Sequence, residues 1–362
     1  MTRLIPIVLI LAGCIKAVKP EAAASAETEA LAAPPRLPAP RAGTYARVPS
    51  KAKDPIVQSV VGGRTLDASL AGAAAGLALG AAQRSGGFTR REVREASWQA
   101  GYPWPVLAMG TWSTGEAGAP PAGVTTWLAA QPADRDVGVV RARGEGRDLW
   151  VALAGKEQIH LGVIPREMAA GTPLNLPPHA GGQWRVSDGS GVYREGSLTD
   201  GINLVLDVPG EWVIQLLDPG GDLARMTIYV DEEPPPLPVL PPNNVPVSSR
   251  SAAQKRVEYL LQRARDEYRN SEFIVSPLLA QAAADAMERG IDPDVRANAL
   301  APNAELGVGA TCAAASVEDC IDQLLWNPQT RRPFVDDRAW SVGTSIRWTS
   351  EKVEIFAVFA GE

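Results

Sequence analysis

Few residues in this chain of 362 could do chemistry, and they are scattered. His160 and His179 are the whole stock of imidazole, and both fall in a stretch that reads as β-structure. A lone histidine in a strand or turn is a packing or surface residue far more often than a base. No Ser-His-Asp spacing stands out, and no Gly-x-Ser-x-Gly occurs. Gly144-Glu145-Gly146 lacks the strand-Gly-helix setting of a phosphate loop, so it reads as a hairpin turn. The acidic pairs Glu318-Asp319 and Asp336-Asp337 read as solvated faces or caps. Trp98, Tyr102, Trp104, Trp112 and Trp127 crowd one region among Gly and Pro. They either line a glycan or peptide groove or fill a small core, and the second is the commoner use of Trp.

The three cysteines are Cys14, Cys312 and Cys320. Arg3 precedes an apolar run at residues 4–11, too short to span a bilayer. Leu11-Ala12-Gly13-Cys14 then resembles the lipobox of bacterial lipoproteins. That resemblance implies cleavage before Cys14, lipidation of its sulfur and an exported protein held at the outer membrane or cell surface. Acyl chains contribute roughly 0.8 kcal/mol per buried CH₂, and several anchor stably. The alternative is an ordinary secretory signal. In an oxidising compartment Cys312 and Cys320 are an even pair suited to a disulfide, the other reading being two buried thiols.

The positioning elements follow in order. Residues 14–53 are rich in Ala, Pro, Glu and Lys, and read as a disordered tether. Residues 54–157 read as a small α+β domain. Its helices begin at Asp67 or Ser69, at Thr89 with Glu92 as a capping box, and near Val124. Gly72, Gly76 and Gly80 read as a close helix contact. Strands at 137–143 and 149–153 flank the Gly144 turn. Residues 158–232 switch to period two, with strands expected at 159–163, 183–186, 203–208, 212–217 and 226–230. That spacing predicts an antiparallel β-sandwich of immunoglobulin-like size. Residues 233–250 are a stiff proline-rich linker. Residues 251–362 read as three helices and a closing hairpin, with Ser276-Pro277 starting the second helix and Gly290 ending it.

An internal repeat runs through this plan. Asp67-Ala68-Ser69-Leu70-Ala71 matches Ser276-Pro277-Leu278-Leu279-Ala280. Trp127 to Pro132 matches Gln323 to Pro328, and Val137-Gly138 matches Val342-Gly343. Chance recurrence of Ala-rich helices and duplication of a domain both remain open.

The closing stretch, residues 327–359, has an Asn-Pro turn, the apolar pair Phe334-Val335 and two strands from Val342 and Val353. It resembles the CAP superfamily of cysteine-rich secretory, antigen 5 and pathogenesis-related proteins. Pro328, Arg331, Asp336, Arg338, Val342, Gly343 and Ile346 stand where that family's pattern has its own residues. The resemblance covers under a third of the chain and implies an α-β-α sandwich at the C-terminus. The first α+β domain would then be a reduced copy. Thr330 stands where the family has its active-site His, and the loop at 291–301 lacks the other. Glu305 maps onto the Glu of the family's Gly-Glu-Asn motif. With both imidazoles gone, no metal site of the usual ligand type and no cofactor is expected.

Composition bounds the rest. An apolar fraction of 45% suits a folded chain, and a net charge of −6 with no basic stripe gives nothing for nucleic acid to bind. The expectation is therefore an α+β multidomain lipoprotein that is not an enzyme. It would bind or scaffold an unidentified envelope ligand or protein, with the membrane as its other partner. The alternative is a divergent envelope hydrolase of glycan or peptide, using carboxylates alone, Glu305 with Asp336.

Overall fold

The computed structural model describes residues 42–81, 88–114, 119–144, 147–234, 244–269, 271–300 and 306–361. All of these fall in one unit, Pro34–Glu362. Cys14, most of the expected tether, the proline run at 235–243 and Glu305 lie outside the described residues. The chain is a mixed α/β protein, with helices and several separate sheets.

The first part runs β1 (Thr44–Tyr45), β2 (Pro49–Ser50), α1 (Pro55–Val61), β3 (Leu66–Asp67), α2 (Ala68–Ala81) and α3 (Arg90–Gln99), then β4 (Val106–Thr114), α4 (Ala122–Ala130), β5 (Asp136–Gly144) and β6 (Arg147–Gly155). Local chemistry starts the helices. Asp54 accepts from the amides of Ile56 and Val57, Asp67 accepts from Leu70 N at 2.9 Å, and Thr89 with Glu92 closes a capping box. The sheet order is β4-β6-β5, all antiparallel. Period two along β6 divides the packing. Val151 and Leu153 join the core of α2 and α3, while Trp150, Ala152 and Ala154 join that of α1 and α4. The sheet thus lies between two helical layers. Gly72 lets α2 approach α3, since a Cβ there would meet that of Ala100 at 3.3 Å.

Two expectations need correction here. Residues 44–50, read as tether, are built into the fold. Tyr45 is buried, and its hydroxyl donates to Thr227 O at 3.2 Å and accepts from Thr227 N at 3.1 Å. Composition missed this because the contacts that hold the segment come from distant residues. Residues 159–163, read as a strand, are irregular. Ile159 and Leu161 are buried as the alternation requires, but Gly162 sits at φ +70° and breaks the extended run.

The middle of the chain is β7 (Ile164–Pro165), β8 (Glu167–Met168), β9 (Thr172–Leu176), β10 (Gln183–Ser187), β11 (Tyr193–Ser197), β12 (Ile202–Leu206), β13 (Gly210–Asp218) and β14 (Gly221–Val230). One sheet has the order β11-β10-β13-β14-β8 and another pairs β12 with β9. Leu174, Leu176, Leu204 and Leu206 of the small sheet share a core with Val186, Trp212, Ile214 and Ile228 of the large one. The pairing is not wholly antiparallel, because β8 runs parallel to β14. The same core continues into α2 and α3, so the boundary expected after residue 157 is no break in packing.

The last part runs α5 (Arg250–Arg269), β15 (Ile274–Val275), α6 (Pro277–Arg289), α7 (Pro293–Leu300), β16 (Leu306–Ala314), α8 (Val317–Trp326), α9 (Arg332–Val335), β17 (Ala339–Trp348) and β18 (Val353–Gly361). The sheet order is β15-β17-β18-β16. Val342, Ile346, Ile355 and Val358 are all buried, and β17 pairs antiparallel with β18. Ile355, Ala357 and Phe359 face α5 and α8, while Phe356, Val358 and Ala360 face α6 and α7.

The first and last parts follow one order. Both have a central strand flanked by two antiparallel partners and a helix pair on each face. Asp67 and Ser276 cap matching helices, and Gln131 and Asn327 are the C-caps of matching helices. The sharpest correspondence is at the strand glycines. A Cβ on Gly138 would stand 2.2 Å from the Leu70 carbonyl carbon and 2.3 Å from Ala71 N. A Cβ on Gly343 would stand 2.1 Å from the Leu279 carbonyl carbon and 2.0 Å from Ala280 N. Those are the same paired positions of the sequence repeat.

Candidate functional site

Thr330 is buried. Its hydroxyl donates to Leu324 O at 2.8 Å and, more weakly, to Asn327 O at 3.5 Å. It satisfies carbonyls at the end of α8, where Asn327-Pro328 stops the helix. The next residue, Arg331, is buried against the central β region. Its Nη1 donates to Glu211 O at 2.9 Å, its Nη2 to the Glu211 carboxylate, and its guanidinium lies 5.1 Å from the Tyr268 ring centroid. The turn at Gly191 rests on α9, close enough that a Cβ there would meet Val335 Cγ2 at 2.5 Å.

Asp336 is equally committed. It accepts from Arg338 N and Nε at 3.0 Å each, from Arg338 Nη2 at 2.7 Å and from Arg332 Nε at 3.0 Å. Burial alone would raise its pKa, but these bonds outweigh that and hold it down to about 2. Such a carboxyl stays ionised and is no general acid near neutral pH. Arg265 fixes the same segment from beneath, donating to the carbonyls of Pro333, Asp336 and Ala339. Cys312 and Cys320 stand at disulfide distance, with Cα atoms 5.4 Å apart. His160 is exposed beside Glu157, and His179 lies near Asp218. Among the described residues no three His, Cys, Asp or Glu side chains are grouped to hold a metal.

A concave site lies elsewhere among the described residues. A cleft of about 540 Å³ is lined by α3, the run Pro103-Trp104-Pro105, the start of β4, and Asp222 and Arg225 of β14. Its size is that of a small-molecule or short-peptide pocket. The geometry follows from a few local choices. Gly101, at φ +88°, ends α3 and turns the chain where a Cβ would strike Thr44 O at 2.4 Å. The two prolines then carry the chain across to β4, and Arg225 N bonds Pro103 O at 2.9 Å. Trp104 is fixed through Nε1 to Ile159 O at 2.8 Å. Of the five aromatics singled out in the sequence, Trp98 and Trp104 line the cleft. Trp112 and Trp127 pack edge-to-face on each other in the core of α1 and α4, and Tyr102 is buried with its hydroxyl on Asp136.

A charged seam joins this cleft to the last part of the chain. Arg94 lies against the contacting rings of Trp98 and Trp326, 4.8 and 5.5 Å from their centroids, which are 4.3 Å from each other. Its Nη2 reaches Asp322 and, at 3.4 Å, Glu95. Burial pushes the Glu95 carboxyl up to about 7; Arg94 opposes that and Asp322 adds to it. Arg225 donates to Asp222 at 2.9 Å and to Trp326 O at 3.4 Å. Asn244, expected in the linker, bridges Arg91 and Asp319. Sequence reading missed Arg94, Glu95, Asp222, Arg225 and Asp322. The available signal was weak: Arg94 and Glu95 stand one turn before Trp98 on a capped helix, and their partners are far along the chain.

No family model, curated protein or solved structure matches the chain. Similarity to characterised proteins therefore adds nothing to the geometry.

Proposed function

We propose that the chain is a non-enzymatic binding protein of the cell envelope, tethered through a lipid on Cys14. In this reading its last part is a degenerate CAP-like domain and its first part a reduced copy. The observation that carries it is the use made of the closing segment. Thr330 staples a helix end, Arg331 is buried on Glu211, and Asp336 is held ionised by two arginines. The positions that the resemblance would assign to chemistry are spent on holding the chain together. The cleft of α3, β4 and β14, with Trp98 and Trp104 in its walls and Arg90, Arg94 and Arg225 among its lining, is where a ligand would sit. The hydrolase reading has less support, since Asp336 is unsuited to proton transfer.

The test is a titration of the full chain with soluble peptidoglycan fragments, followed by Trp fluorescence. Saturable quenching is expected, and Leu107→Asp at the exposed edge of the cleft should weaken it roughly tenfold. An absent signal, or one that Leu107→Asp leaves unchanged, contradicts a cleft for this ligand. Turnover of the fragments by the wild-type chain contradicts the non-enzymatic reading.

A further inference from the structure

The two matching parts differ at the strand before the matching helix. In the first, β3 stands outside the β4-β6-β5 sheet, in a two-stranded sheet of its own, and is covered. β2 pairs with it antiparallel over two residues, Pro49 with Asp67 and Ser50 with Leu66. Around that pairing Ala68 N donates to Val48 O at 2.8 Å and Val48 N to Asp67 Oδ2 at 2.9 Å. Ser69 Oγ donates to Ala46 O at 3.3 Å, and Arg47 Nε to Asp136 at 2.6 Å. Leu66 is only 2% exposed beneath this cover.

In the last part the matching edge is bare. β15 pairs with β17 on one side, and its other side has no strand among the described residues. Val275, matching Leu66, is 51% exposed, and Leu278, matching Ser69, is 65% exposed. Ile274 and Trp340 beside them are exposed too, Trp340 adjoining the Ser341 that pairs with Ile274. The donors of the first edge are also gone. Pro277 replaces Ala68 and has no N–H, and Leu278 replaces the Ser69 hydroxyl. Residues 273–280 carry no charge. Contiguous exposed apolar side chains on an unpaired strand edge mark an association surface.

We propose that this edge is a self-association surface, on which a second copy of the chain lays its own β15 antiparallel. The first part shows what a strand in this position accepts: a two-residue strand, antiparallel, with flanking side chains closing over it. A second copy supplies that strand and matches the apolar, uncharged surroundings with its own Ile274, Val275, Leu278 and Trp340. Two-fold pairing brings the same patch onto itself, as isologous dimers require. The sheet would continue from one copy into the next, with no edge left between them. Self-association of this kind is independent of whether the cleft takes a ligand.

Sedimentation of the full chain across the micromolar range tests it. A concentration-dependent dimer is expected, and Leu278→Glu, on an exposed first turn, should weaken it roughly tenfold or more with unchanged circular dichroism. Val275→Cys should cross-link two copies under mild oxidation, while the exposed control Val205→Cys on β12 should not. A monomer at every concentration overturns the proposal. So does a dimer that Leu278→Glu leaves intact, which would place association at the N-terminal segment or elsewhere. A Val275→Cys chain that cross-links no better than the control overturns the β15 pairing.

Discussion

The first and last parts of the chain fasten an outer strand to a helix in two ways. On β4 the side chain of Trp112 lies over Gly123 at the start of α4, so close that a Cβ on Gly123 would meet the indole nitrogen at 2.4 Å. On β16 the position of matching register is Cys312, which stands at disulfide distance from Cys320 of α8. Trp112 pairs with Trp150 on the central strand, and Cys312 pairs with Ile355. One part fills the corner with a large indole, and the other closes it through sulfur with little side-chain volume. A second difference is larger in consequence. The connection from helix to strand is residues 131–135 in the first part and residues 327–338 in the last. The added residues include Thr330, Arg331, α9 and Asp336, and among them Arg331, bonded to Glu211, and α9, packed under the Gly191 turn, seat the last part on the central β region. A shared framework thus fixes the packing, while this elongated connection adds a second contact between parts to the seam of Arg94, Arg225 and Asp322.

The largest expected effects test whether the two frameworks are equivalent. Trp150 and Ile355 occupy matching, fully buried places on the central strands. Trp150→Ala should cost about 3–5 kcal/mol and Ile355→Ala about 2–5 kcal/mol in denaturant unfolding. A cost near zero at either site would break the comparison. Next comes the corner. Reducing the Cys312–Cys320 pair should cost about 2–3 kcal/mol by the loop-closure argument. Thiol labelling of the unfolded, unreduced chain should leave both sulfurs unmodified. Full labelling would mean that no bond forms.

The glycines give a smaller and more diagnostic effect. Gly138→Ala and Gly343→Ala both force a methyl against helix backbone, and each should cost about 1–3 kcal/mol or more. Similar values at the two sites sharpen the comparison, and a loss at only one would show that the helices approach their sheets differently. Smallest is a pH effect at the seam. Glu95 has its pKa raised in the folded chain, to about 7, so the native state holds a proton that the unfolded state has released. Its contribution to stability should be fully present below the ordinary carboxylate range and decline as pH rises toward about 7. Glu95→Gln should flatten that part of the profile. An unchanged pH dependence would show that Glu95 is ionised in the native state.

Much of the framework was legible because local signals agree with it. Asp67, Thr89 with Glu92, Ser276 and Gly290 all act as their types suggest, and the closing hairpin pairs as its period predicts. The repeat was legible for the same reason, since matching caps and glycines answer to matching backbone constraints. What failed depends on partners distant in sequence. Tyr45 is held by Thr227 and Arg47 by Asp136, so a segment of tether-like composition becomes part of the fold. The cleft escaped because Arg225 and Asp222 reach it from the central β region. Thr330 was not readable as a helix staple, because its acceptor is a backbone carbonyl that any sequence would supply.

The central claim is that the closing segment joins parts of the chain. The most direct test is a double-mutant cycle between Arg331 and Glu211, using Arg331→Met and Glu211→Gln in denaturant unfolding. Buried, charge-assisted contacts of this kind predict a coupling of about 1.5–3 kcal/mol with the two single variants each destabilised. Additive effects, with no coupling between the two sites, would contradict the account.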